Sequence, residues 1–288
     1  MQIPIRMCDA RLAGFIDVYG HWPMPMENIS TYAPGLIAFN FSGAPIEVDG
    51  VQRSEPVLMG IANDPAYIRY SIRGGNIVSM RITGGAYDRL FDIDPSAESG
   101  VIGMDPNRHA KIAGVYDRLR AADANPESWF AALDAALAEL LPEAKPPGLV
   151  GEMAMLVRGS DREWGVAEIA DRLGCTIRTL ERACKRRYGR TPKRMLRAHR
   201  LNRTRQLEEN IDSRIELEPD FGYADLPHYL NDLRRLLGLN RGQLSDGSLF
   251  GHDFPYRYLW PDGRQVESEE EMDAWHGEMQ RRIAAYPG

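Results

Sequence analysis

Between Arg172 and Arg205 the chain places thirteen Lys or Arg residues against a single acid, Glu181. Five charged side chains in this stretch, Arg178, Glu181, Arg182, Lys185 and Arg186, recur at steps of three or four residues, the spacing of one face of a helix. Each type has a defined use on a nucleic acid. A guanidinium pairs bidentately with a guanine edge, a carboxylate accepts from the cytosine amino group, and the remaining cations neutralise phosphates. This row therefore suits recognition of a polyanion. An Arg-rich face is otherwise a solvated surface, so the reading depends on the elements that hold the row in place.

Those elements are legible. Val166, Ile169, Ala170 and Leu173 have helical spacing, Gly174 suits a left-handed turn, and Thr176 suits the N-cap of a following helix. In that second helix Ile177, Leu180 and Cys184 are expected on the inner face, turning Arg178, Arg182, Lys185 and Arg186 outward with Glu181 at the margin. The rival role for Arg182 is an ion pair with Asp171. Charge is segregated to match. Residues 1–150 hold 12 Lys or Arg against 18 Asp or Glu, residues 151–249 hold 19 against 15, and residues 250–288 hold 4 against 8. The net charge of -6 thus hides a basic middle third, which favours an anionic partner.

The ordered motif Ile169-Ala170, Gly174, Thr176, Thr179-Leu180, Arg182, then Tyr188-Gly189, Thr191-Pro192 and Arg200-Leu201, resembles the DNA-binding region of the AraC/XylS family of bacterial activators. Gly222-Tyr223-Ala224-Asp225, His228-Tyr229, Leu233-Arg234-Arg235 and Gly238 resemble the second helix-turn-helix unit of that family. The resemblance spans Ala167 to Gly238. It implies transcription regulation by two recognition helices, joined by a long helix, that enter successive major-groove segments of double-stranded DNA. The DNA-binding residues it implies are Arg178, Glu181, Arg182, Lys185 and Arg186 in the first unit and Asn231 and Arg234 in the second.

The second unit departs from the family pattern. Glu218 and Pro219 stand where a small buried residue and a regular helix are expected, and Asn231 replaces a usual basic residue. Leu226, Pro227 and Leu230 offer no side-chain hydrogen bond. This half is expected to position the protein while the first unit reads bases. Tyr188 and His228 are expected to pack. The departure also keeps open an alternative, a regulatory adaptor whose helix-turn-helix domain binds protein.

The remainder of the chain reads as α+β. From about Ile3 to Thr83, apolar runs such as Leu36-Ile37-Ala38-Phe39, Val57-Leu58-Met59 and Ile77-Val78-Ser79-Met80 alternate with turn residues, predicting a β-rich N-terminal domain, cupin-like in kind. Gly74-Gly75-Asn76 predicts a hairpin between the flanking runs. Helical patterning begins near Tyr87 and is clear after Asn107. In Pro126 to Leu141, Trp129, Phe130, Leu133, Ala136, Leu137, Leu140 and Leu141 form one apolar stripe, either packed on the β domain or used for self-association. The expected organisation is a sensor or oligomerisation domain at 1–142, a linker at 143–150, an all-α double helix-turn-helix domain at 151–249, and an acidic, aromatic-containing tail at 250–288.

Hydrophobic content of 43% and charged content of 26% suit an ordinary globular protein, and no apolar run approaches the roughly 18 residues of a membrane span. Without a secretion signal in Met1 to Met7, a cytoplasmic location is expected. Cys8, Cys175 and Cys184 are widely spaced, predicting reduced thiols and neither disulfides nor a zinc site. Only His21 and His109 precede residue 150, too few for a metal-dependent cupin enzyme, and no nucleophile elbow, Walker loop or dinucleotide fingerprint occurs. No enzyme, cofactor or metal is expected. Double-stranded DNA is the principal expected partner, with RNA polymerase, a small-molecule effector and a second copy of the chain in a homodimer as further candidates, and no membrane.

Overall fold

The computed structural model describes residues 4–31, 35–61, 68–82, 86–95, 97–98, 100–158, 163–188, 190–208, 223, 226–237, 271 and 274. The irregularity expected at Glu218 and Pro219 lies outside these residues, as does the acidic tail apart from Glu271 and Ala274.

Four strands whose described residues are nearly all buried form the middle of the N-terminal half: β2 (Ile16–Trp22), β4 (Gly35–Asn40), β7 (Val57–Ile61) and β9 (Ile77–Ile82). With β1 (Ile5–Met7) and β10 (Gly100–Gly103) they make an antiparallel sheet of order β1-β2-β9-β4-β7-β10. A second antiparallel sheet has the order β3-β8-β5-β6, from β3 (Met26–Thr31), β5 (Ile46–Val48), β6 (Val51–Arg53) and β8 (Ile68–Ile72). The central strands need apolar residues at successive positions because both of their faces are covered. Ile37, paired with Met80 and Met59, and Phe39, paired with Val78 and Val57, belong to the larger core that the helices complete. Ala38 and Leu58 join Trp22, Ile46, Val48, Ile72 and Ile77 in a separate cluster that takes residues from both sheets. The β-rich reading of this half is therefore correct. β10 was not expected, since four residues flanked by glycine carry too little pattern.

The turn at Gly74-Gly75-Asn76 does not close a hairpin. β8 pairs with β3 and β5, whereas β9 pairs with β2 and β4, so the turn carries the chain from one sheet to the other. Gly75 and Asn76 have φ of +66° and +56°, the left-handed backbone that a tight hairpin would also use. Steric crowding selects the corner. A Cβ on Gly75 would lie 2.7 Å from the Cα of Met24, while one on Gly43, at φ +72°, would meet nothing within 4 Å. Gly75→Ala is expected to destabilise the protein by about 2 kcal/mol or more, and Gly43→Ala by about 1 kcal/mol. Denaturant midpoints of the two variants check this, the larger shift belonging to Gly75.

The helices α1 (Ala86–Phe91), α2 (Ala110–Ala121) and α3 (Pro126–Leu140) follow β9, with β10 between α1 and α2. Asn125 caps α3, its side chain accepting from the Ser128 amide at 2.9 Å, and Pro126 occupies the first turn, where no amide hydrogen is needed. Trp129, Phe130, Leu133, Ala136 and Leu137 are buried in the sheet core, with Leu140 and Leu141 packed against it. The stripe is therefore consumed by packing on the β domain, which removes it as a surface for self-association. Asp134 pins α3 in register: its Oδ1 accepts from the Tyr19 hydroxyl at 2.9 Å and the Asp9 amide at 2.8 Å, and its Oδ2 pairs with Arg6. His109 has both ring nitrogens engaged. The Asp105 amide donates to Nδ1 at 2.9 Å, which leaves Nε2 to donate to Glu98 at 3.0 Å.

The segment expected as a linker is fastened at its start. The amide of Lys145 donates to the carbonyl of Arg89 at 2.9 Å, and the Lys145 carbonyl accepts from Arg89 Nε at 2.9 Å. Arg89 is almost wholly buried, its guanidinium lying over the Phe15 ring. Beyond it come α4 (Gly148–Arg158), α5 (Val166–Arg172), α6 (Ile177–Tyr188), α7 (Pro192–Glu208) and α8 (Leu226–Leu237). Helices α4 to α6 surround a core of their own, with Val150, Met153 and Val157 from α4, Ile169 and Ala170 from α5, and Leu180 and Cys184 from α6, and Met195 and Leu196 of α7 pack against it. None of the described helices is long and apolar enough to cross a membrane.

Candidate nucleic-acid interface

The turn between α5 and α6 forms as the residue types dictate. Gly174 adopts φ +62°, and the Thr176 hydroxyl accepts from the Thr179 amide at 3.1 Å, capping the first turn of α6. Leu180 and Cys184 are fully buried against α4 and α5, which fixes the rotation of α6 about its axis. Arg178, Glu181, Arg182, Lys185 and Arg186 are all exposed. None of the five makes a hydrogen bond or ion pair with another described residue. The Asp171 partner considered for Arg182 is thus not used. Ile177 departs from expectation: it was placed on the inner face, yet 45% of it is exposed, because at the first position of α6 it precedes the turn that meets the core.

The opposite end of α6 is held differently. Arg187 pairs with Asp88 of α1, and Asp88 also receives Lys145 Nζ at 3.1 Å. Lys145 reaches Asp92 at 2.8 Å, as does Lys111. Hydrogen bonds from Lys111 and Lys145 hold the Asp92 carboxyl below its ordinary range. A charge-paired strip therefore ties the C-terminal end of α6 to the β domain, while the five exposed charged side chains of α6 take no part in it among the described residues.

Helix α8 is fixed by a clasp that the sequence did not suggest. Asp232 is completely buried, and its carboxylate accepts from Arg197 Nε at 3.0 Å and from Arg200 Nη2 at 3.0 Å, both arginines being on α7. Arg200 also donates to Glu163 at 2.9 Å and lies 4.5 Å above the Tyr223 ring. Burial pushes the Asp232 carboxyl up, but the hydrogen bonds from Arg197 and Arg200 outweigh it and hold the group below its ordinary value. Asn231 and Arg234 are exposed, as are Pro227 and Arg235. His228 is half-buried at the edge of Tyr223, a packing position as expected; the Tyr188 side chain lies outside the described residues.

Among the thiols, Cys8 and Cys184 are buried and Cys175 is half-buried. Burial pushes the Cys184 thiol up to about 12. Only about one part in 10⁵ is then ionised at pH 7. Cys184 is expected to resist iodoacetamide in the native protein and to react once it is unfolded, as peptide mapping by mass spectrometry would show.

A helix buried on one face, a glycine turn and a capped second helix with an exposed cationic face define a helix-turn-helix. Residues 169–245 match the family described as helix-turn-helix domain, of the AraC type. The C-terminal part of the chain thus carries a helix-turn-helix domain of the AraC type. No curated protein sequence matches it. Among solved structures it is similar to ToxT from Vibrio cholerae O395, at 13% identity and a TM-score of 0.41, covering 84% of this chain and 96% of that one. A 1.65 Å structure of ToxT gives 12% identity and a TM-score of 0.44 over 84% and 97%. ToxT with a bound unsaturated fatty acid gives 9% and 0.41 over 86% and 94%.

Proposed function

We propose that the protein binds double-stranded DNA by laying α6 in the major groove, where Arg178 and Arg182 pair with guanine edges and Glu181 accepts from a cytosine amino group. Lys185 and Arg186 neutralise phosphates, and Asn231 and Arg234 on α8 position the second half of the module. The observation that carries this reading is the exposure of five charged side chains, without partners among the described residues, on a helix whose other face is sealed by Leu180 and Cys184. Footprinting of the purified full chain on genomic fragments tests it. Discrete protected sites are expected, and uniform absence of protection would overturn the reading in favour of a protein-binding adaptor.

The division of labour follows the two cores. Residues 1–142 serve as the sensor or oligomerisation unit, 143–150 as the connection, whose last three residues already begin α4 and place Val150 in the helical core, 151–249 as the DNA-binding unit, and 250–288 as a tail. A small-molecule effector or a second copy of the chain would act through that first unit, with RNA polymerase as a further partner of the DNA-bound protein. The pairing of Asp88 with Arg187 supplies a route, since an effector that favours one position of α1 favours one presentation of α6.

A further inference from the structure

Ile177 is a large aliphatic side chain exposed at the first position of α6, outside the core that Leu180 and Cys184 fill. Its neighbours are polar and already accounted for. The Thr176 hydroxyl is committed to the cap, lying 2.9 Å from the Thr179 hydroxyl and 3.1 Å from the Thr179 amide, while Arg178 and Glu181 stand exposed beside it. The leading end of the helix therefore offers one apolar tip rimmed by hydrogen-bonding groups.

The N-terminal residues of a recognition helix are the ones that reach base edges, and the apolar group on the floor of the major groove is the C5 methyl of thymine. Glu181 follows Ile177 by four residues, about 6 Å along the helix axis, which is less than two base steps of about 3.4 Å. We propose that Ile177 packs against a thymine methyl within two base pairs of the cytosine that Glu181 contacts, making it a specificity-determining residue. This rests on the reading of α6 as the DNA-facing helix. It adds a discrimination that the charged residues do not provide, because thymine and uracil present identical hydrogen-bonding edges to them.

The test uses the full chain and a duplex recovered by footprinting, with each thymine replaced in turn by deoxyuridine to remove only the methyl. At one position under α6, wild-type affinity is expected to fall about fourfold, the worth of one buried methyl. Ile177→Ala, which empties no core, is expected to bind the thymine and uracil duplexes equally. Indifference of the wild type at every position, a site with no thymine under α6, or unchanged discrimination by Ile177→Ala would each overturn the assignment while leaving DNA binding intact. Failure to form any complex would overturn the DNA reading along with it.

Discussion

Replacing Asp232 by Ala is expected to loosen α8 at a cost of about 3 kcal/mol, the lower end of what breaking a buried ion pair costs. The lower end applies because Arg197 and Arg200, though stranded, keep 27% and 16% of their side chains exposed and regain some water. Asp232→Asn preserves shape but not charge, so an intermediate destabilisation is expected. The pH dependence has a defined sign. The folded carboxyl titrates below its ordinary value near 3.8, so its contribution is complete above that range and disappears as pH falls through the lower folded value. Hydrogen exchange by mass spectrometry is the direct readout, and unchanged protection of α8 in Asp232→Ala would contradict the clasp.

Arg178→Ala and Arg182→Ala are expected to relax sequence preference by about 1 to 3 kcal/mol for each pairing with a base that is abolished, without changing stability. The absence of a stability effect follows from their exposure and lack of partners among the described residues. Lys185→Ala differs in kind. It should weaken all sequences alike and reduce the slope of log affinity against log salt by about 0.9. Operator selectivity that survives in both arginine variants would refute the assignment of the reading face.

Local punctuation decided which parts of the structure were legible in the sequence. Gly174 and Thr176 specify a turn and a cap whatever surrounds them, so the α5–α6 unit and its outward row of charges follow from residue types alone. The α3 stripe was similarly clear, because seven apolar residues at helical spacing have one face to bury, and five of them are buried. Gly74-Gly75-Asn76 shows the limit. A left-handed turn fixes a local backbone path, but whether the flanking strands pair depends on neighbours such as Met24 and Ser42, remote in sequence. Ile177 reads as an inner-face residue by periodicity, yet at the helix start there is no preceding turn to bring it over the core. Arg89, Asp134 and Asp232 were missed for one reason: a charged residue in a helical pattern reads as solvent-facing until its partners, 32 or more residues away for Asp232 and Arg200, are brought beside it.

Titration of the full chain with duplex DNA across a salt series tests the central claim most directly, with the variant carrying Ala at Arg178, Arg182, Lys185 and Arg186 as the comparison. Wild-type affinity is predicted to fall steeply as salt rises, with the slope flattened in the variant by up to about 0.9 for each phosphate neutralisation removed. No complex at low ionic strength, or identical slopes for the two proteins, would contradict it.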